Sequence, residues 1–302
     1  RRIIAILIHY INARPVPQAE MHHQPTACPH SYPQPQKAAG TPPKQRLQKQ
    51  CTDFPQKYPR IKQPAPIKPG PNPRIISPFP TPLTIMIRFE SVSKVYSGHF
   101  QALKNISFNI QKGEMIFIAG HSGAGKSTVL RLIAGITKPT SGKVLINKHN
   151  LGDLTDNQLC YLRQHIGIVF QDHKILFDRN VLQNVMLPLR IIGYDNKSAE
   201  KRARIAIEKV GLSGREKDDP NGLSGGEQQR LCIARAVVHQ PSLLIADEPS
   251  ANLDRAYALD IMELFKTFHE AGTTVIVSAH DETLMQDYGH RILRLQQGRF
   301  AS

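Results

Sequence analysis

The stretch Gly120-His121-Ser122-Gly123-Ala124-Gly125-Lys126-Ser127-Thr128 fits the pattern GxxxxGK[ST], and it stands between an apolar run at 114–119 and an amphipathic pattern that starts at Lys126. Glycines at these spacings let the backbone wrap so that successive amides point inward, and the helix that follows adds the field of its N-terminus. Such a loop cradles phosphate. In that reading Lys126 reaches the β and γ phosphates of a nucleotide, and the Ser127 hydroxyl, followed by Thr128, becomes a ligand for Mg²⁺. The strand-to-helix context is what the motif requires, and it is present here.

A second element lies far along the chain. Leu243-Leu244-Ile245-Ala246 is a short buried run that delivers two carboxylates, Asp247 and Glu248, at its end. The carboxyl ends of strands are where an open parallel sheet places ligands. Asp247 is the candidate for holding Mg²⁺ through its water shell, and Glu248 the candidate general base that polarises an attacking water. Between and around these motifs, short β-branched and aromatic runs alternate with helical patterns, which predicts an α/β protein. Strands are predicted at 87–96, 102–110, 114–119, 143–146, 166–170, 243–246, 274–277 and 291–295. Helices are predicted at 126–134, 155–164, 180–189, 198–210, 226–239 and 254–270. The runs at 243–246 and 275–277 read as strands covered on both faces, hence central. In the last helix Leu259, Met262, Phe265 and Phe268 mark one apolar face, a core face rather than a cofactor site.

The third element is Leu223-Ser224-Gly225-Gly226-Glu227-Gln228-Gln229-Arg230. Physically it is a Ser-Gly-Gly turn opening a helix, a second ready-made anion site. It resembles the LSGGQ-type signature of the ATP-binding cassette ATPases, with Glu227 in place of the final glutamine. That resemblance implies a P-loop NTPase fold of the cassette type: a mixed sheet core with antiparallel β and helical subdomains, the latter at about 172–236. It also explains why one chain carries two phosphate sites. Members pair head to tail as homodimers, each ATP lying between Lys126 of one copy and Ser224, Gly225, Gly226 and Glu227 of the other.

Further family markers occur once and in order. Tyr96 corresponds to the aromatic that stacks on adenine. Gln171 corresponds to the glutamine that senses Mg²⁺ and the lytic water, and His280 to the histidine that contacts the γ-phosphate. Asn252-Leu253-Asp254 corresponds to the loop that crosses the dimer interface, although Ser250-Ala251 stands where many relatives carry Thr-Gly. The implied activity is hydrolysis of ATP to ADP and phosphate. Binding alone needs neither a base such as Glu248 nor a γ-phosphate contact such as His280.

The segment 170–185, FQDHKILFDRNVLQNV, together with GHSGAGKST and LSGGEQQR, resembles the FtsE type of cassette ATPase. The resemblance implies an ATPase subunit in bacterial cell division, at the cytoplasmic face of the inner membrane, that drives an FtsX-like transmembrane protein. Ile175, Leu176 and Phe177, three adjacent apolar residues in a loop, are the expected contact with that partner. The alternative within the same resemblance is the ATPase of a lipoprotein-release or macrolide-export transporter. A cassette acting on nucleic acid is disfavoured, because 98 residues from Lys126 to Ser224 leave no room for an insertion and there is one cassette.

Composition agrees with a cassette confined to residues 86–302. The chain has 302 residues and a formal charge of +15, but 18 of its 23 prolines precede Met86. Those 85 residues hold 12 Lys and Arg against Glu20 and Asp53, a net of +10, so the rest carries only +5. The basic excess is therefore no sign of a nucleic-acid surface. Proline at this density prevents long helices and central strands, which predicts a disordered tail. Arg1-Arg2 followed by apolar 3–8 resembles the start of a secretion signal, but the run is short and no clear cleavage site follows. Residue 1 is not methionine while Met86 directly precedes the first strand, so residues 1–85 are read as upstream sequence translated in frame, or an artefact. Cys28, Cys51, Cys160 and Cys232 form no CxxC pair and suggest a reducing compartment. No apolar run approaches the roughly 20 residues of a membrane span.

Overall fold

The computed structural model describes residues 86–251, 253–280, 285, 288 and 290–301; the Pro-rich stretch and Asn252 lie outside the described residues. Strands β1 (Ile87–Val95), β2 (Gln101–Ile110), β4 (Ser141–Ile146) and β5 (His149–Asn150) form an antiparallel sheet in the order β2-β1-β4-β5. Strands β3 (Met115–Ala119), β6 (Ile166–Val169), β7 (Leu243–Asp247), β8 (Thr274–Ala279), β9 (Arg291–Gln296) and β10 (Arg299–Phe300) form a second sheet in the order β10-β9-β3-β8-β7-β6. All its pairs are parallel except β9 with β10. The helices are α1 (Lys126–Ile133), α2 (Asp156–Arg163), α3 (Val181–Ile191), α4 (Asn196–Lys209), α5 (Gly225–Val237) and α6 (Arg255–Glu270).

The period of two along each strand divides the core between the two faces of the second sheet. Met115, Phe117, Leu244, Ala246, Val275 and Val277 face one cluster, which α3, α4, α5 and α6 complete. Ile116, Ile118, Leu243, Ile245 and Ile276 face the other, filled by α1 and the antiparallel sheet. β7 and β8 are central strands, as their uninterrupted apolar runs require, and β8 is buried along its whole length. Helix ends are set by side chains: Thr155, Asn180 and Ser224 each close a capping box on the residue three positions later.

Predicted and observed boundaries differ by two residues at most. The two-residue strands β5 and β10 are absent from the sequence reading, because two residues carry no periodicity to read. In α6 the buried face is Ala258, Ile261, Met262, Leu264 and Phe265, with Leu259 and Phe268 at its margin. The stripe is broader than the every-third-residue pattern, because a helix packed on a sheet buries i, i+3, i+4 and i+7.

The apolar triplet after Gln171 does not form an exposed cluster. Ile175 is 4% exposed and belongs to the helical core, while Phe177 is 51% exposed. Fully buried Asn184 on α3 accounts for the split. Its Oδ1 accepts from the Leu176 amide at 3.0 Å, and its Nδ2 donates to the carbonyls of Leu176 (2.9 Å), Arg179 (3.0 Å) and Asn180 (3.1 Å). One amide thus pins the loop so that Ile175 enters the core. Asn184→Ala leaves several buried main-chain groups without partners and should cost about 3 kcal/mol in urea unfolding. A loss below about 1 kcal/mol would show that Asn184 does not set the loop.

Candidate active site

β3 runs into the loop 120–125 and then into α1, so the loop sits at the carboxyl end of the parallel sheet. Gly125, the N-cap of α1, has φ 110° and offers no side chain to the first-turn amides, which are left for an external anion. A Cβ there would come within 2.7 Å of the Ala102 carbonyl oxygen, and one on Gly120 within 2.3 Å of that of Leu295. Only glycine fits at these two positions. The turn joining β9 to β10 closes over the loop, with the Gly298 amide donating to the Ala124 carbonyl at 3.1 Å.

Lys126 is 4% exposed. Its ammonium donates to the carbonyls of Gly120 (2.7 Å) and His121 (3.1 Å) and lies 3.1 Å from Glu248 Oε1. His280 Nε2 is 2.9 Å from the same carboxylate oxygen and 3.2 Å from the Lys126 nitrogen. Gln171 Nε2 donates to the other oxygen, Glu248 Oε2, at 3.3 Å. Residues from the ends of β3, β6, β7 and β8 therefore meet around one carboxylate. The sequence names all four, and the fold brings them together.

Glu248 has φ 49°, a left-handed conformation unusual for a residue with a Cβ. Its amide is held by the Ser278 carbonyl (3.1 Å) and hydroxyl (2.9 Å). The same hydroxyl donates to Asp247 Oδ1 at 2.7 Å. Fully buried Ser278 thus orients both carboxylates from the neighbouring strand. It escaped the sequence reading, and the only available signal was one hydroxyl inside the otherwise apolar run 275–279.

Around this centre, Ser127 is half-buried in the first turn of α1, and Tyr96 reaches towards Thr128, hydroxyl to hydroxyl at 3.5 Å. The Lys94 ammonium lies 5.1 Å from the centre of the Tyr96 ring. His121, Ser122 and Gly123 are exposed at the rim of the loop, while Ala124 is buried beneath it.

The stretch 224–227 opens α5 apart from this cluster. The Ser224 hydroxyl accepts from the Glu227 amide at 3.4 Å, and Glu227 Oε2 accepts from the Ser224 amide (2.8 Å) and hydroxyl (2.9 Å). These two hydrogen bonds, with Arg215 at 3.3 Å as a lesser contribution, hold the Glu227 carboxyl below its ordinary value. The Ser-x-x-Glu spacing of a capping box was legible and accounts for a glutamate at this position. No contact joins Ser224 to Lys126, Glu248 or His280 among the described residues.

Comparison with known proteins is consistent with this geometry. Residues 103–251 match the family model described as ABC transporter. The chain is 48% identical over 213 residues to the cell division ATP-binding protein FtsE of Escherichia coli strain K12, covering 70% of this chain and 96% of that one. It is 37% identical to FtsE of Bacillus subtilis strain 168, covering 70% and 93%. A solved structure of the ATP-binding cassette MJ0796, dimeric in a post-hydrolysis state with ADP and Pi bound, superposes with a TM-score of 0.67 at 37% identity, covering 72% of this chain and 97% of that one. The chain is an ATP-binding cassette ATPase and belongs to the FtsE family of cell division ATP-binding proteins.

Proposed function

We propose that the chain is the ATP-hydrolysing subunit of an FtsEX-like complex, acting as a homodimer on an FtsX-like transmembrane protein at the cytoplasmic face of a bacterial inner membrane. The observation that carries the catalytic part is the meeting of Lys126, His280 and Gln171 on the Glu248 carboxylate.

In this reading the amides of 120–125 and the first turn of α1 take the phosphates, and the Tyr96 ring stacks on adenine. Lys126 exchanges its two loop carbonyls and Glu248 for the β and γ phosphate oxygens. That exchange frees Glu248 to accept a proton from water as it attacks the γ-phosphorus, while Gln171 orients the water and His280 donates to the γ-phosphate. Asp247, held by Ser278, Ser127 and the Gln171 carbonyl oxygen form a set of hard oxygen donors suited to Mg²⁺. Nucleotide oxygens and water would complete the shell of the ion. Mg²⁺ there supplies charge neutralisation of the phosphates.

The separation of Ser224 from this cluster supports the dimeric reading. The N-terminus of α5, with Gly225, Gly226 and Glu227, is out of contact with the protomer's own phosphate loop, and a second copy's ATP fits it. No helix among the described residues is long and apolar enough to cross a membrane, so the membrane step belongs to the partner in this reading. Exposed Phe177, on the loop that Gln171 begins, is the side chain best placed to meet that partner.

Glu248→Gln should preserve ATP binding and slow turnover by roughly a hundredfold or more, leaving an ATP-trapped dimer on size-exclusion chromatography. A Glu248→Gln protein that turns over at the wild-type rate contradicts the base assignment. Lys126→Ala should instead weaken nucleotide binding itself, by roughly tenfold or more in equilibrium titration. A pull-down from bacterial membranes with the Glu248→Gln protein, read by mass spectrometry, should recover an FtsX-like protein. Recovery of a transporter permease in its place would keep the ATPase chemistry and remove the division role.

A further inference from the structure

Helix α5 bears Ser224 as its N-cap and Arg235 in its last turn, 11 residues or about 16 Å along the same rod. Arg235 does not point to solvent. Its Nη1 donates to the Lys174 carbonyl at 2.6 Å and its Nη2 to the His173 carbonyl at 2.6 Å. One turn earlier on α5, the Cys232 thiol donates to the same His173 oxygen at 3.1 Å. Cys232 is buried, and burial lifts its thiol to about 11, so it keeps the proton this contact needs.

The gripped residues sit in a backbone conformation that costs energy. His173 and Lys174 have φ 57° and 49°, two successive left-handed residues that both carry a Cβ. Three donors from α5 fix a backbone that the sequence of the loop itself resists. Both guanidinium contacts go to main-chain oxygens, so the grip is independent of the side chains at 173 and 174. Two residues upstream, Gln171 donates to Glu248.

We propose that Arg235 is a positioning residue that yokes the signature end of α5 to Gln171, so that the serine offered to one ATP and the glutamine at the base of the other site move as one body. The inference rests on the roles given above to Ser224 and Gln171. It adds a physical route between the two half-sites of one protomer: Ser224, the rigid helix, the Arg235 fork, the left-handed pair, Gln171 and Glu248. The fork is the element a substitution can test. An ammonium lacks the rigid pair of coplanar N–H groups that a guanidinium presents from two separate nitrogens, so lysine keeps the charge and loses the fork.

The test uses the full chain, with Arg235→Lys and Cys232→Ala introduced separately into wild type and into Gln171→Ala. Melting temperature, affinity for a fluorescent ATP analogue, and steady-state kcat and KM are measured. Arg235→Lys should leave the melting temperature within about 4 °C and the nucleotide affinity within about twofold of wild type, and lower kcat roughly tenfold. Cys232→Ala, which leaves the fork in place, should act in the same direction by a smaller factor, and it decides the matter if Arg235→Lys does not fold. In the Gln171→Ala background, Arg235→Lys should add almost nothing, because both act through one contact. A general loss of packing would instead multiply the two defects. An undiminished kcat in Arg235→Lys, or its full effect on top of Gln171→Ala, overturns the yoke alone. A kcat insensitive to Gln171→Ala removes the assignment of Gln171, and the yoke with it.

Discussion

A lysine ammonium shielded from water must be met on every side by oxygen, and the position of Lys126 imposes that constraint on three separate segments. Two loop carbonyls turn inward to satisfy it, and the Glu248 carboxylate is drawn in from the end of β7. His280 joins from beyond β8. The cluster is thus self-neutralised, and under the proposed function protein oxygens stand where phosphate oxygens are to go. The exchange of one set for the other keeps Lys126 paired throughout. In the proposed mechanism it also releases Glu248 only once a nucleotide is there to act on.

The rest of the fold serves that exchange. The parallel order of β3, β8, β7 and β6 brings the ends of four strands to one edge, and the apolar faces on either side of the sheet hold them there. Ser278 sets the two carboxylates by bonding sideways from β8 to β7. Beyond the sheet, α3 and α5 grip the loop after Gln171 through Asn184 and Arg235. The loop is therefore part of a rigid helical body and not a free tether. Ser224, capped by Glu227, makes no contact with the protomer's own cluster, and in the proposed dimer each copy supplies half of two sites.

Much of this was legible in the sequence because the chemistry sits on contiguous motifs. The loop 120–128, the Asp247-Glu248 pair, the stretch 223–230, Gln171 and His280 each sit at a strand end or helix start that local patterning predicts. The alternation that divides the core was likewise open to reading, as were the two central strands. What escaped were residues whose side chains act at long sequence distance on main-chain groups. Ser278 acts on Glu248 30 residues away and Arg235 on Lys174 61 residues away, and neither contact leaves a local pattern. Ile175 was misplaced for a related reason. An apolar triplet in a loop gives no hint of which member turns inward until Asn184 is known to pin the backbone.

The central claim is that a single protomer holds an incomplete site, so the most direct measurement is the rate of ATP hydrolysis per protomer as the protein is diluted at saturating ATP. The account predicts that this specific rate falls on dilution, with overall velocity approaching second order in protein, and levels off at high concentration. A specific rate that stays constant down to concentrations at which the ATP-bound chain is wholly monomeric would contradict it.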